Sequence, residues 1–281
     1  MKEIPMQGSA DGCWQIGCVS YLNSKPLIQP MVQRSDCRVH FAVPSALLAM
    51  LERRTVAAAL APVVDYQTSE SELILVPAGG ICCDGPTLTV RIYSAVEAKQ
   101  IRRLHADTDS HTSVILSQII LRKRYGVEPE VIPMSAGRAV PHDENDALLL
   151  IGDKVVNAAP NQWQYPVQLD LGEQWKQFTG LPFVFAMWMM RADAVDEKLA
   201  QVLADARRRG LTMTHELAER YAAASGWPVS LAERYFTEYL KYEITADRRR
   251  GLALFYQYAR ELGLLKADRE MRYFDLPAMT G

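Results

Sequence analysis

Apolar residues along this chain fall in short runs separated by stretches where they recur every three or four positions, the mark of strands alternating with amphipathic helices. Residues 14–19 (Trp-Gln-Ile-Gly-Cys-Val) read as a buried strand, and after a polar turn a helix starts near Pro26. Residues 38–42 form a second strand. Pro44-Ser45 then opens a helix with Leu47, Leu48 and Leu51 as its apolar positions; proline suits a first helical turn, where its missing N–H costs nothing. Residues 57–61 give a third strand. This β-α-β-α-β order predicts parallel pairing through right-handed crossovers.

Residues 73–77, 81–83 and 88–94 read as further strands, and near Val96 the pattern restarts. A strand at 103–106 leads into a strong amphipathic helix at 112–125, which Gly126 ends. Strands follow at 130–133, 147–151 and 183–190. Residues 194–265 are almost all helical, with breaks at Gly210, Gly226-Trp227-Pro228 and Gly263. The restart and the late apolar strand predict a chain that leaves a first lobe and returns to it. Lobe one then comprises residues 1–95 plus 190–281, and lobe two residues 96–189. A single large doubly wound sheet fits the periodicity nearly as well.

The chain has 281 residues, 49% of them apolar and 23% charged, which is enough to bury a core and argues against disorder. A net charge of −2 leaves no electrostatic footprint for nucleic acid. The one basic run, Arg207-Arg208-Arg209, reads as a solvated helix face. No stretch reaches the roughly 20 apolar residues of a membrane span. Residues 1–12 are polar and lack the apolar core of an export signal. Five cysteines without a CxxC pair read as reduced thiols, and the chain is expected to be cytoplasmic. His40, His105, His111, His142 and His215 have no metal-ligand spacing, so no metal site is expected. Composition sets no oligomeric state.

In open α/β sheets, ligands dock where strand ends lead into helix N-termini, which offer free N–H groups and a positive dipole to anions. Three segments fit. Residues 19–27 follow the first strand and carry Ser20, Asn23 and Ser24, although Asn23 or Ser24 equally suits an ordinary helix cap. Residues 107–113 crowd Ser110, Thr112 and Ser113 at the mouth of the best helix, more hydroxyls than one cap needs; His111 there is inert or pairs with a carboxylate. Residues 150–153 end in Asp153, a cap or a cleft-facing group. A weaker fourth segment, 84–89, ends in Thr89. Trp188, Phe183 and Phe185 read as core. Dinucleotide, P-loop, zincin and α/β-hydrolase motifs are all missing.

Taken together, these segments resemble the chorismate dehydratase family of the futalosine route to menaquinone. The specific block is Ser20-Tyr21-Leu22-Asn23-Ser24-Lys25-Pro26-Leu27. Weaker matches follow in order at Pro44-Ser45, 59–66, 107–114, 149–153, 170–172, 179–186, 239–240, 251–252 and 262–264, so the likeness covers nearly the whole chain. His111 stands where many relatives carry arginine, and Thr89 where serine is usual. The resemblance implies an α/β, two-lobed, type II periplasmic-binding-protein-like fold with a helical C-terminal tail, turned to catalysis. Chorismate would lose its C3 proton and C4 hydroxyl to give 3-[(1-carboxyvinyl)oxy]benzoate, driven by aromatisation, with no metal or redox cofactor. On this reading Asn23 and Ser20 are catalytic and hold the reacting carboxylate or the departing hydroxyl. Ser110, Thr112 and Ser113 clamp the ring carboxylate, while Ser24, Thr89, His111 and Asp153 complete the binding set. The general base is Asp153, His111 or, preferably, the substrate's own enolpyruvyl carboxylate. The rivals are a non-catalytic solute-binding protein for a small carboxylate, the dihydroxynaphthoate synthase of the same route, and a regulator's ligand-binding lobe.

Overall fold

The computed structural model describes residues 12–134 and 146–276; His142 and the polar start of the chain lie outside the described residues. The first lobe opens with β1 (Trp14–Cys18), α1 (Lys25–Val32), β2 (Cys37–Phe41), α2 (Pro44–Glu52), β3 (Ala58–Pro62), α3 (Val63–Thr68) and β4 (Leu73–Cys83). The second holds β5 (Val90–Ser94), β6 (Arg103–Asp107), α4 (His111–Ile119), β7 (Glu130–Met134), β8 (Asp146–Ile151), α5 (Lys154–Asn157), β9 (Val167–Asp170) and α6 (Leu171–Thr179). The chain then returns through β10 (Phe183–Arg191), α7 (Glu197–Leu211), α8 (Thr214–Tyr221), α9 (Val229–Arg234), β11 (Leu240–Lys241) and α10 (Ala246–Glu261).

Two sheets result, so the single doubly wound sheet is ruled out. The first has the order β11-β4-β10-β3-β1-β2 and the second β7-β6-β8-β5-β9. β1 pairs in parallel with β2 and β3, as the β-α-β order requires. β10 inserts antiparallel between β3 and β4. The chain crosses between sheets after Cys83 and again after Thr179. Strand 90–94 therefore belongs to the second sheet and strand 183–191 to the first, whereas the expected boundaries at 95/96 and 189/190 placed 90–94 and 183–189 on the opposite sides. Hydrogen-bond partners, which periodicity does not encode, decide this.

Other departures have local causes. Residues 73–77 and 81–83 are one strand; Gly79-Gly80 interrupts the apolar run because a Cβ on Gly80 would sit 2.6 Å from the Ala186 carbonyl oxygen. Gly210 does not break a helix. It lies inside α7, where a Cβ would fall 1.8 Å from the Pro26 carbonyl oxygen, so glycine lets α1 and α7 meet backbone to backbone. The helix predicted at 112–125 is α-helical to Ile119 and continues as a π-turn to Arg124. β9 and α6 went unread.

One apolar cluster runs through both lobes, joining Ile16, Leu60 and Trp188 of the first sheet to Ile92, Leu104 and Leu149 of the second. The five cysteines carry thiols rather than disulfides, and all but Cys13 are buried. Burial pushes the Cys18 and Cys82 thiols up to about 12, so they remain protonated. Among the described residues no helix is long and apolar enough to cross a membrane.

Candidate active site

The C-terminal ends of β1, β3 and β8 face one another across the cleft and enclose a cavity of about 60 Å³. Four of the predicted residues meet in its wall: Asn23 from the turn after β1, Thr89 from the first crossing, and Ser110 and Ser113 from the start of α4. Both lobes therefore contribute, as strand-end geometry demands. Phe185, read as core, is also part of the wall.

The polar atoms here are tightly arranged. Thr89 Oγ1 lies 2.6 Å from the Tyr235 hydroxyl, with both residues buried. On the same wall, Asn23 Oδ1 is buried without a partner. Ser110 caps α4 by accepting from the Ser113 N–H, and the two hydroxyls stand 3.1 Å apart. The start of α4 adds its dipole at this wall. Among the described residues no Asp, Glu, His, Lys or Arg lines the cavity and Tyr21 is the one titratable lining group; burial together with Asp109 raises the Tyr21 phenol so that it stays neutral.

The other predicted residues serve elsewhere. Ser20, expected to be catalytic, is exposed and does not line the cavity. Ser24 is fully buried and donates to the carbonyls of Val19 and Tyr21, each at 2.9 Å, so it closes the turn that presents Asn23. Thr112 is fully buried, accepts from the Val64 N–H at 3.3 Å through Oγ1 and does not line the cavity. His111 Nδ1 pairs with Asp65 Oδ1 at 2.7 Å, joining α4 to α3 away from the cavity wall. Asp65 is completely buried, which raises its carboxyl, while its hydrogen bond raises the His111 imidazole. Asp153 also lies behind the wall; burial drives its carboxyl up to about 6 against the Leu22 N–H, Lys25 and Trp227.

Four contributing residues went unassigned in the sequence. Tyr21 stands in the matched block, packs 3.5 Å from where a Gly152 Cβ would lie, and donates to Asp109 Oδ2 at 3.4 Å. Lys154 bridges the carboxylates of Asp107 and Asp109 at 2.6 and 2.7 Å and offsets one of their two charges, which weakens the repulsion of an anion by the 107–113 loop. Asp170 holds the crossing that carries Thr89, accepting from the N–H groups of Thr87 and Leu88 at 2.9 and 2.7 Å. Tyr235 gave no signal, since an aromatic in a helical stretch reads as core.

A larger cavity, about 350 Å³, opens beyond residues 236–243 and is lined by Arg207, Lys241, Glu243 and Arg248. None of the predicted residues reaches it. Among the described residues no group of three or more His, Cys, Asp or Glu side chains is placed to hold a metal ion.

Comparison with known proteins agrees with this arrangement. A crystal structure of an Archaeoglobus fulgidus protein superposes with a TM-score of 0.68 at 16% identity, covering 91% of this chain and 100% of that one. The periplasmic aliphatic sulphonate-binding protein of Escherichia coli superposes with a TM-score of 0.65 at 14% identity, covering 96% and 94%. These likenesses show a shared periplasmic-binding-protein fold. The chorismate dehydratase of Thermus thermophilus is 30% identical over 264 residues, 89% of this chain and 95% of its own. A profile described as menaquinone biosynthesis matches residues 14–261, which takes in both sheets and every residue of the cavity wall. The chain thus belongs to the menaquinone biosynthesis family.

Proposed function

We propose that this protein is a cytoplasmic chorismate dehydratase, a hydro-lyase that converts chorismate to 3-[(1-carboxyvinyl)oxy]benzoate and water. The observation that carries the reading is the wall itself: Asn23, Thr89, Ser110 and Ser113 converge from both lobes, and among the described residues no carboxylate, imidazole or amine lines the space. Such a site can bind and orient an anionic ligand through neutral donors and the α4 dipole, but its lining offers no strong base.

That suits a substrate that brings its own base. The C3–H bond breaks with its proton passing to the enolpyruvyl carboxylate. Its electrons form the new ring double bond as the C4–O bond breaks, and hydroxide and proton leave as water. Aromatisation supplies the driving force. What remains for the protein is orientation, which lowers a barrier by roughly 7–11 kcal/mol in favourable cases. Ser110 and Ser113 hold the ring carboxylate at the α4 N-terminus, and Asn23 with Thr89 addresses the C4 hydroxyl. About 60 Å³ is far below the roughly 300 Å³ of ordinary ligand pockets, so the lobes must part further to admit the substrate.

Incubating the purified protein with chorismate is expected to produce a benzoate-type ultraviolet spectrum, and Asn23→Ala is expected to lower kcat about 10²- to 10³-fold. His111→Ala and Asp153→Ala are each expected to lose far less than about 10⁴-fold; a greater loss in either would restore a side-chain base. The fold shared with sulphonate-binding proteins favours one alternative, a solute binder for a small carboxylate. Saturable binding of chorismate without any spectral change would select it.

A further inference from the structure

Thr89 and Tyr235 are respectively 2% and 1% exposed, and their hydroxyls are 2.6 Å apart, so one must donate and the other accept. Relative acidity gives the direction: a phenol is the more acidic hydroxyl and an alkyl alcohol the more basic oxygen, which favours donation from Tyr235 to Thr89. The Tyr235 ring is held in this pose by Trp227, whose ring centre is 4.9 Å away.

We infer that Tyr235 is a positioning residue: by donating to Thr89 Oγ1 it turns the Thr89 proton into the cavity, so that the wall presents one donor, Thr89, beside one acceptor, Asn23 Oδ1. Asn23 Oδ1 is buried and unpartnered, as an acceptor waiting for a ligand proton would be. A donor beside an acceptor is the pattern a hydroxyl requires. As the C4–O bond lengthens, charge grows on the departing oxygen and the Thr89 hydrogen bond strengthens, an interaction realised mainly in the transition state. Without Tyr235 the Thr89 proton is free to rotate away.

This inference rests on the dehydratase reading and deepens it. Tyr235→Phe deletes one oxygen and keeps the ring, and steady-state kinetics with chorismate provide the test. Tyr235→Phe is expected to lower kcat roughly 10- to 100-fold with KM changed less than about 2-fold. Thr89→Val should lose at least as much, and the double variant no more than Thr89→Val alone, because the phenol acts only through that hydroxyl. Unchanged kcat in Tyr235→Phe, a loss confined to KM, or multiplicative losses in the double variant would each overturn it. Near-ultraviolet circular dichroism identifies a misfolded variant, and Thr89→Ser then serves as the second probe. It keeps the hydroxyl and should restore kcat to within about 3-fold of the parent, whereas a Val-sized loss in Thr89→Ser would also overturn the inference. A wild type inert towards chorismate removes the dehydratase reading and this inference with it; an active wild type matched by Tyr235→Phe removes only the inference.

Discussion

Asp153 shows how a residue's burial sets its contribution to stability. Its folded carboxyl titrates at about 6 against an ordinary value of 3.8, so the native state holds this proton more tightly than the unfolded chain. Ionising the group therefore costs stability, progressively between about pH 4 and pH 6 and fully above that. Asp153→Asn removes the charge and keeps the shape. Differential scanning fluorimetry is expected to give the variant a higher Tm than wild type at pH 7.5, with the gain gone at pH 4.5. At this scale the sequence was only half legible. Strand ends located the right loops, but whether a hydroxyl faces a ligand or its own backbone depends on the turn. Hence Asn23 and Ser113 reach the cavity, whereas Ser24 and Thr112 satisfy nearby main-chain groups. Tyr235 lies 146 positions from Thr89, a pairing that no local pattern carries.

Among the elements, the first crossing is the most constrained. Leu88 takes a left-handed backbone at φ 66°, costly for a leucine, and sits between Thr87 and Thr89. Asp170, at the N-terminus of α6, offsets that strain by collecting the N–H groups of Thr87, Leu88, Gly172 and Glu173. Gly172 completes the joint, since a Cβ there would lie 2.5 Å from Cys83 Sγ and 2.6 Å from the Gly85 carbonyl oxygen. Asp170→Ala strands these donors and is expected to cost about 3 kcal/mol in urea unfolding, and to lower kcat of the folded fraction by disturbing Thr89. The strands and helices of 14–62 were legible because their apolar spacing is long and regular. β9 was not, because four residues, Val167–Asp170, are too few to show a period.

For the whole molecule, the two lobes meet through apolar packing and polar bridges, among them His111 to Asp65, Val64 to Thr112, Tyr21 to Asp109, Thr89 to Tyr235 and Lys123 to Glu261. The Asp65 hydrogen bond raises His111 above its usual value against the effect of burial. Stability from the charged pair is thus fully present below about pH 6.5 and is lost as pH rises through the raised value. His111→Ala is expected to lower Tm more at pH 6 than at pH 9; an equal drop at both would show that the pair is not charged. The two-lobed plan was legible from the restart near Val96, whereas its boundaries were not, because a strand that crosses over looks the same in sequence as one that stays.

The smallness of the cavity has a consequence for traffic. At about 60 Å³ it has room for only a handful of water molecules. A ring-sized acid therefore enters only as Asn23 on one side and Ser110 with Ser113 on the other move apart, and each arrival must first displace those few waters into the bulk.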